Sequence, residues 1–167
     1  MKKSSARQIA LGGVMAALAV CIMCLGGLIP VATYVCPMLC MILLAFVTRL
    51  CGMRIGWAWY GAVGLLSALL GPDKEAAALF LCLGYYPIVK PGLDKSRLRI
   101  LWKLLLFNGA TSAMYWVLIR LLGMEQLAAE FAESGRWMLA VMLVLGNLTF
   151  LLLDVLLKRL EKKFWKA

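Results

Sequence analysis

Apolar residues run along this chain in long blocks, and polar residues gather in the gaps between them. The blocks cover residues 6–29, 38–50, 55–70, 76–89, 100–122 and 137–157. A helix needs roughly 20 apolar residues to cross a bilayer. The blocks at 38–50 and 76–89 are short, and merging them with their neighbours would leave five crossings or fewer. Residues 30–37 read as an uncharged connection. Arg49, Gly52 and Arg54 mark a tight basic turn, and Gly71-Pro72 closes the third block. Residues 90–99 read as a basic loop that opens Lys-Pro-Gly. Residues 123–136 form the longest polar stretch and predict a short amphipathic helix with Leu127, Ala128 and Phe131 on one face. The predicted fold is an all-α integral membrane protein, a single domain built as a bundle of about six transmembrane helices.

The charges in the gaps alternate. Basic residues gather at 1–7, 49–54, 90–103 and 158–166, and acidic residues at 72–75 and 125–133. Loops on the cytoplasmic side of membrane proteins carry the excess of lysine and arginine. Six crossings with both termini inside leave only Lys74, Arg120 and Arg136 outside, of 18 basic residues. Asp73, Glu75, Glu125, Glu130 and Glu133 then lie outside, of eight acids. An odd number of crossings would put two basic clusters on the wrong side. The net charge of +10 is therefore a topological signal, and no nucleic-acid partner is expected. Residues 1–7 resemble a signal n-region, but no A-x-A-like cleavage site follows the apolar run. The first block is read as a retained span.

Composition agrees. Of the 167 residues, 64% are apolar, against about half in a soluble domain, and the mean hydropathy is +0.91. Six spans nearly exhaust the length. The chain has no histidine, which removes histidine-dependent protease, haem-ligand and most zinc chemistry. Its six cysteines lie mostly inside apolar runs, where a thiol behaves as a small hydrophobe. The sequence predicts no catalytic constellation, no cofactor and no metal.

Several residues have both a structural and a functional reading. Ala6, Ala10, Gly13 and Ala17 recur on one side of the first span, with Gly12 and Ala16 beside them. Small residues let a second helix approach closely, either inside this protein or from a separate membrane subunit. Asp73 caps the fourth span with Glu75 in its first turn, or the two acids line an outward-facing mouth. Asn108, Thr111, Ser112 and Tyr115 share one face of the fifth span, and Asn147 lies mid-way along the sixth. Asn108 and Asn147 bond to each other as helix glue, or face a ligand. Arg120, beyond Tyr115 toward the outer surface, meets an anionic ligand group or snorkels to the headgroups. Tyr85-Tyr86-Pro87 puts two phenols beside a helix-disturbing proline, and only one of them is expected to face a cavity. Asp154 and Lys158 form a local ion pair. The candidate substrate-binding set is Asp73, Glu75, Tyr85, Tyr115, Arg120 and Asn147. Cys21-Ile-Met-Cys24 is a CxxC within a span, with Cys36 and Cys40 after it. Membrane thiol redox enzymes use two such pairs, but no basic group lies near this one.

The small six-span plan and the opening Ala6-Arg7-Gln8-Ile9-Ala10-Leu11-Gly12-Gly13-Val14-Met15-Ala16-Ala17-Leu18 resemble the substrate-binding (S) component of an energy-coupling factor (ECF) transporter. In motif terms the resemblance covers only the first span, where glycine and valine occupy some of the small positions. It implies an alanine-rich first helix that docks on a transmembrane coupling subunit, with Ala6, Ala10, Gly13 and Ala17 as the matching positions. It also implies an outward-facing pocket for a vitamin, a precursor or a metal ion, and the missing histidines speak against nickel or cobalt. The chain has no Gly-Lys-Ser/Thr nucleotide loop, so separate ATPase subunits would drive transport. The expected partners are that coupling module, a small organic solute and the lipid of the cell membrane. Two other classes stay open: a membrane scaffold of the cell-shape machinery similar to MreD proteins, and a membrane thiol redox protein.

Overall fold

Leucine and alanine are the commonest residues of the apolar blocks, and they lose little rotamer freedom in a helix. A computed structural model describes residues 2–26, 32–94, 98–120 and 135–164. Its elements are α1 (Lys2–Gly26), α2 (Ala32–Cys51), α3 (Met53–Leu70), α4 (Lys74–Leu83), α5 (Tyr86–Leu93), α6 (Arg99–Arg120) and α7 (Gly135–Phe164). No strand occurs among the described residues. Among the described residues four segments are long and apolar enough to cross a membrane: Ala6–Gly26, Ala32–Cys51, Met53–Leu70 and Lys74–Leu93. By length and composition they mark a multi-pass membrane protein. Contacts gather in two units, Met1–Arg97 and Leu98–Ala167.

The first unit is built on close approach of helices. The Cys40 thiol donates to the Ala19 carbonyl at 3.5 Å, and the Cys51 thiol to the Gln8 carbonyl at 3.3 Å. The two contacts lie about three turns apart on both helices, so α1 and α2 run antiparallel in constant register. The Gln8 amide donates to the Leu50 carbonyl at 3.3 Å, an acceptor in the last turn of α2 that has no intrahelical donor. The α2–α3 turn is a single residue, Gly52, with φ of +93°. That left-handed backbone favours glycine. One turn on, a Cβ on Gly56 would lie 2.5 Å from Thr48 Oγ1, so the two helices diverge from the turn with no room for a side chain there.

Two elements differ from the sequence expectation. α2 begins at Ala32, six residues before the expected start at 38, and carries Pro37 inside it. The proline lies early in the helix, where few upstream carbonyls are deprived of a donor. The fourth apolar block is interrupted at Gly84-Tyr85 and resumes as α5, with Pro87 in its first turn, where its missing N–H costs no helical bond. α5 carries the helix through Lys90-Pro91-Gly92, the residues expected to open a loop. Lys90 is 1% exposed, and its Nζ lies 3.4 Å from Asp94 Oδ2 one turn on.

In the second unit α6 and α7 pack antiparallel. Phe107 and Phe150 stack with centroids 4.8 Å apart. Phe150, Leu153, Asp154 and Leu157 form the buried face of α7. α7 spans 30 residues, about 45 Å at 1.5 Å per residue. It continues as helix through most of the basic tail expected after residue 157. Residues 123–134 of the predicted amphipathic helix lie outside the described residues, while its last two, Gly135 and Arg136, open α7.

Candidate functional site

The polar groups of the first unit concentrate at the loop between α3 and α4. Asp73 is the N-cap of α4, with φ of −96° and ψ of 100°. Its Oδ1 accepts from the Ala76 N–H at 3.0 Å, satisfying one of the donors a helix start leaves open. Its Oδ2 accepts from the Thr33 hydroxyl at 2.7 Å. The Tyr34 hydroxyl donates to Glu75 Oε1 at 3.4 Å. Lys74 Nζ donates to the Ala68 and Gly71 carbonyls at 2.9 and 3.0 Å, where the helix dipole of α3 favours a cation. Thr33 and Tyr34 thus belong with the two predicted acids. Sequence reading placed both in the connection at 30–37, and nothing local announces partners some forty residues away.

Tyr85 stands apart from that cluster. The ten residues of α4 separate it from Asp73, about 15 Å along the axis. It packs edge-on against Tyr60 at 6.4 Å, and Tyr60 contacts Phe80 at 5.7 Å and Trp57 at 5.9 Å. The Tyr60 hydroxyl donates to the Leu81 carbonyl in the last turn of α4. Of the adjacent phenols, Tyr86 is fully buried and Tyr85 half-buried. On α3, Trp59 Nε1 and Ser67 Oγ are buried without a hydrogen-bond partner among the described residues.

In the second unit Asn147 faces Asn108. Asn108 Nδ2 donates to Asn147 Oδ1 at 3.0 Å, and Asn147 Nδ2 donates to Asn108 Oδ1 at 3.1 Å. Their second amide hydrogens go to the Leu104 and Leu143 carbonyls at 2.9 and 2.8 Å. The helix-glue reading of this pair is therefore realised in full. Thr111 Oγ1, a turn beyond Asn108, is buried without a hydrogen-bond partner among the described residues, and Tyr115 beyond it is half-buried. Arg120 closes α6; its side chain lies outside the described residues.

Asp154 binds two lysines. Its Oδ2 accepts from Lys158 at 2.7 Å, the predicted local pair, and its Oδ1 from Lys103 at 2.9 Å. Lys103 is 1% exposed, a burial that the basic cluster around it in sequence does not reveal. A buried ammonium is tolerated only when paired and hydrogen-bonded.

On α1 the small residues divide into two sets. Gly12, Ala19 and Gly26 are buried, and Gly12 meets Ile55. Ala6, Ala10, Gly13 and Ala17 are all exposed, and a Cβ on Gly13 would meet nothing within 4 Å. All six cysteines are free thiols. No group of three or more metal-ligating side chains occurs among the described residues. Comparison with known family models, curated proteins and solved structures returns no match.

Proposed function

We propose that this chain is the membrane-embedded substrate-capture subunit of an ECF-type importer for a small organic solute, such as a vitamin or precursor. It crosses the cell membrane six times with both termini in the cytoplasm. It catches its solute outside and reorients with a transmembrane coupling subunit, while separate ATPases supply the energy. The observation that carries this reading is the exposed face of Ala6, Ala10, Gly13 and Ala17. The described helices of the first unit use Gly12, Ala19 and Gly26 of α1 and pack elsewhere than on this face. In lipid, where contact area and not water exclusion holds helices together, such a face suits a partner helix.

A second reading has its own support. Asp73 and Asn147 spend their hydrogen bonds on Thr33, Ala76, Asn108 and Leu143. Groups so engaged suit a membrane scaffold of the cell-shape machinery, which needs partner faces and no polar cavity.

Gly13→Leu/Ala17→Leu, made together, tests the first reading. The variant is expected to fold alone and to lose co-purification of a coupling subunit. Retained complex formation would sink the docking face. Thermal shift against a panel of vitamins and amino-acid-like metabolites separates the two readings, since the scaffold shifts with none of them. Cysteine labels in a cysteine-free background test the topology: positions 73 and 130 react from outside and position 95 does not.

A further inference from the structure

α7 separates its charges by side. At 3.6 residues per turn, Phe150, Leu153, Asp154 and Leu157 share one face, and all four are buried. Asp154 holds Lys103 and Lys158 there. Glu161, two turns beyond Asp154, falls on the same side and is half-buried. Both acids of the helix end thus lie on the packed side. On the opposite side the exposed residues are first Leu148, Leu152, Val155 and Leu156, then Arg159 and Lys162. These positions stay within one face, so an exposed apolar stripe passes directly into an exposed cationic one. Lys163 is exposed beside Lys162.

We infer that this face binds an anionic phospholipid, its phosphate on Arg159 and Lys162 and its acyl chains along Leu152, Val155 and Leu156. The inference rests on the membrane reading above. A phosphodiester accepts charge-assisted hydrogen bonds from guanidinium and ammonium groups. The apolar stripe that follows matches the hydrocarbon attached to it. A nucleic acid matches only the cationic end, and a zwitterionic headgroup brings its own cation against Arg159. With Asp154 and Glu161 on the packed side, no carboxylate of the described α7 residues faces the phosphate. Basic residues beside the membrane surface contribute individually to attraction for anionic lipid.

The full-length protein is reconstituted in nanodiscs holding equimolar phosphatidylcholine and phosphatidylglycerol, and the lipid retained after gentle extraction is measured by native mass spectrometry. The wild type is expected to retain phosphatidylglycerol preferentially. Arg159→Gln/Lys162→Gln lowers that preference by roughly 10-fold. Arg7→Gln/Arg54→Gln, which removes the same charge from other exposed positions, keeps it. Equal preference in the wild type and the α7 variant overturns the site, as does equal loss in both variants. A chain that stays in vesicles through alkaline carbonate yet shows no preference overturns the lipid site alone. A chain stripped by carbonate overturns the membrane reading and the site together.

Discussion

The two units hold their helices together by different chemistry. In the first unit α1, α2 and α3 pack Met23, Leu44, Val47, Trp59 and Val63 together with small residues at close approaches such as Gly56, and side-chain hydrogen bonds across helices go mainly to backbone carbonyls or sit at the 71–75 loop. In the second unit the described helices α6 and α7 meet through an aromatic stack, a reciprocal amide pair and a buried ion pair. Where α2 and α3 approach closely at Gly56, contact area holds the helices. α6 and α7 share one narrow strip, so directional bonds set their register. Polar groups are effective there because a slipped register leaves them unpaired.

Asp154 is the sharpest point at which to break that contrast. Asp154→Leu removes the carboxylate that the buried ammonium of Lys103 bonds, and removing one partner of a buried pair costs about 3–5 kcal/mol. Thermal unfolding of the purified protein should show the largest drop of any single change described here. Lys103→Met/Asp154→Leu, which removes both buried partners, should recover most of it. A double variant as unstable as the single one would show that the pair does more than neutralise itself.

The first unit should respond to volume instead of charge. Gly56→Ala puts a Cβ against Thr48, and overpacking of this kind costs about 1–3 kcal/mol. The same change at Gly61, where a Cβ meets nothing within 4 Å, should leave the melting temperature unchanged or raise it. Equal effects at both positions would mean that close approach at Gly56 does not set the α2–α3 geometry.

The amide pair should show coupling that its members lack alone. In a double-mutant cycle of Asn108→Ala and Asn147→Ala, a coupling energy of about 0.6–1.7 kcal/mol is expected from interhelical hydrogen bonds in membranes. Additive effects would remove the pair as a register device. Once a ligand is found, Tyr115→Ala is expected to weaken it by about 1–3 kcal/mol if the phenol is its buried partner. Calorimetry on a normally folded variant measures this, and unchanged affinity would place the pocket elsewhere.

The smallest effects belong to the thiols. Cys40→Ala and Cys51→Ala remove weak donors to the Ala19 and Gln8 carbonyls. Each is expected to cost about 1 kcal/mol or less, because the carbonyls keep their places in α1 and a cysteine is a weak donor. A larger loss would make these contacts part of what fixes the α1–α2 register.

Local chemistry was legible in the sequence where both partners lie within a turn or share an obvious depth. Asp73 as a cap and Asp154 with Lys158 follow from spacing alone. Asn108 with Asn147 follows from two polar residues near the middle of neighbouring apolar blocks. The partners of long range were hidden. Thr33 stands in a stretch read as an uncharged connection, and Lys103 ends the basic cluster at 90–103 that reads as a cytoplasmic flank. Lys90-Pro91-Gly92 carries strong loop residues. Helix persists there because Pro87 starts the turn and Lys90 finds Asp94 one turn later.

What the sequence by itself determined is the set of apolar blocks, the all-helical fold and the alternation of charge between blocks. Each is a property of composition and spacing, and backbone in an apolar medium satisfies itself locally as helix. Only the tertiary structure decided which small residues of α1 are used inside the chain, which lysines are buried, and that Tyr85 lies a helix length away from Asp73. Those outcomes depend on which faces meet. A helical face is assigned by partners far along the chain, and hydrophobicity that is nearly uniform around a helix gives no sign of the direction in which it packs.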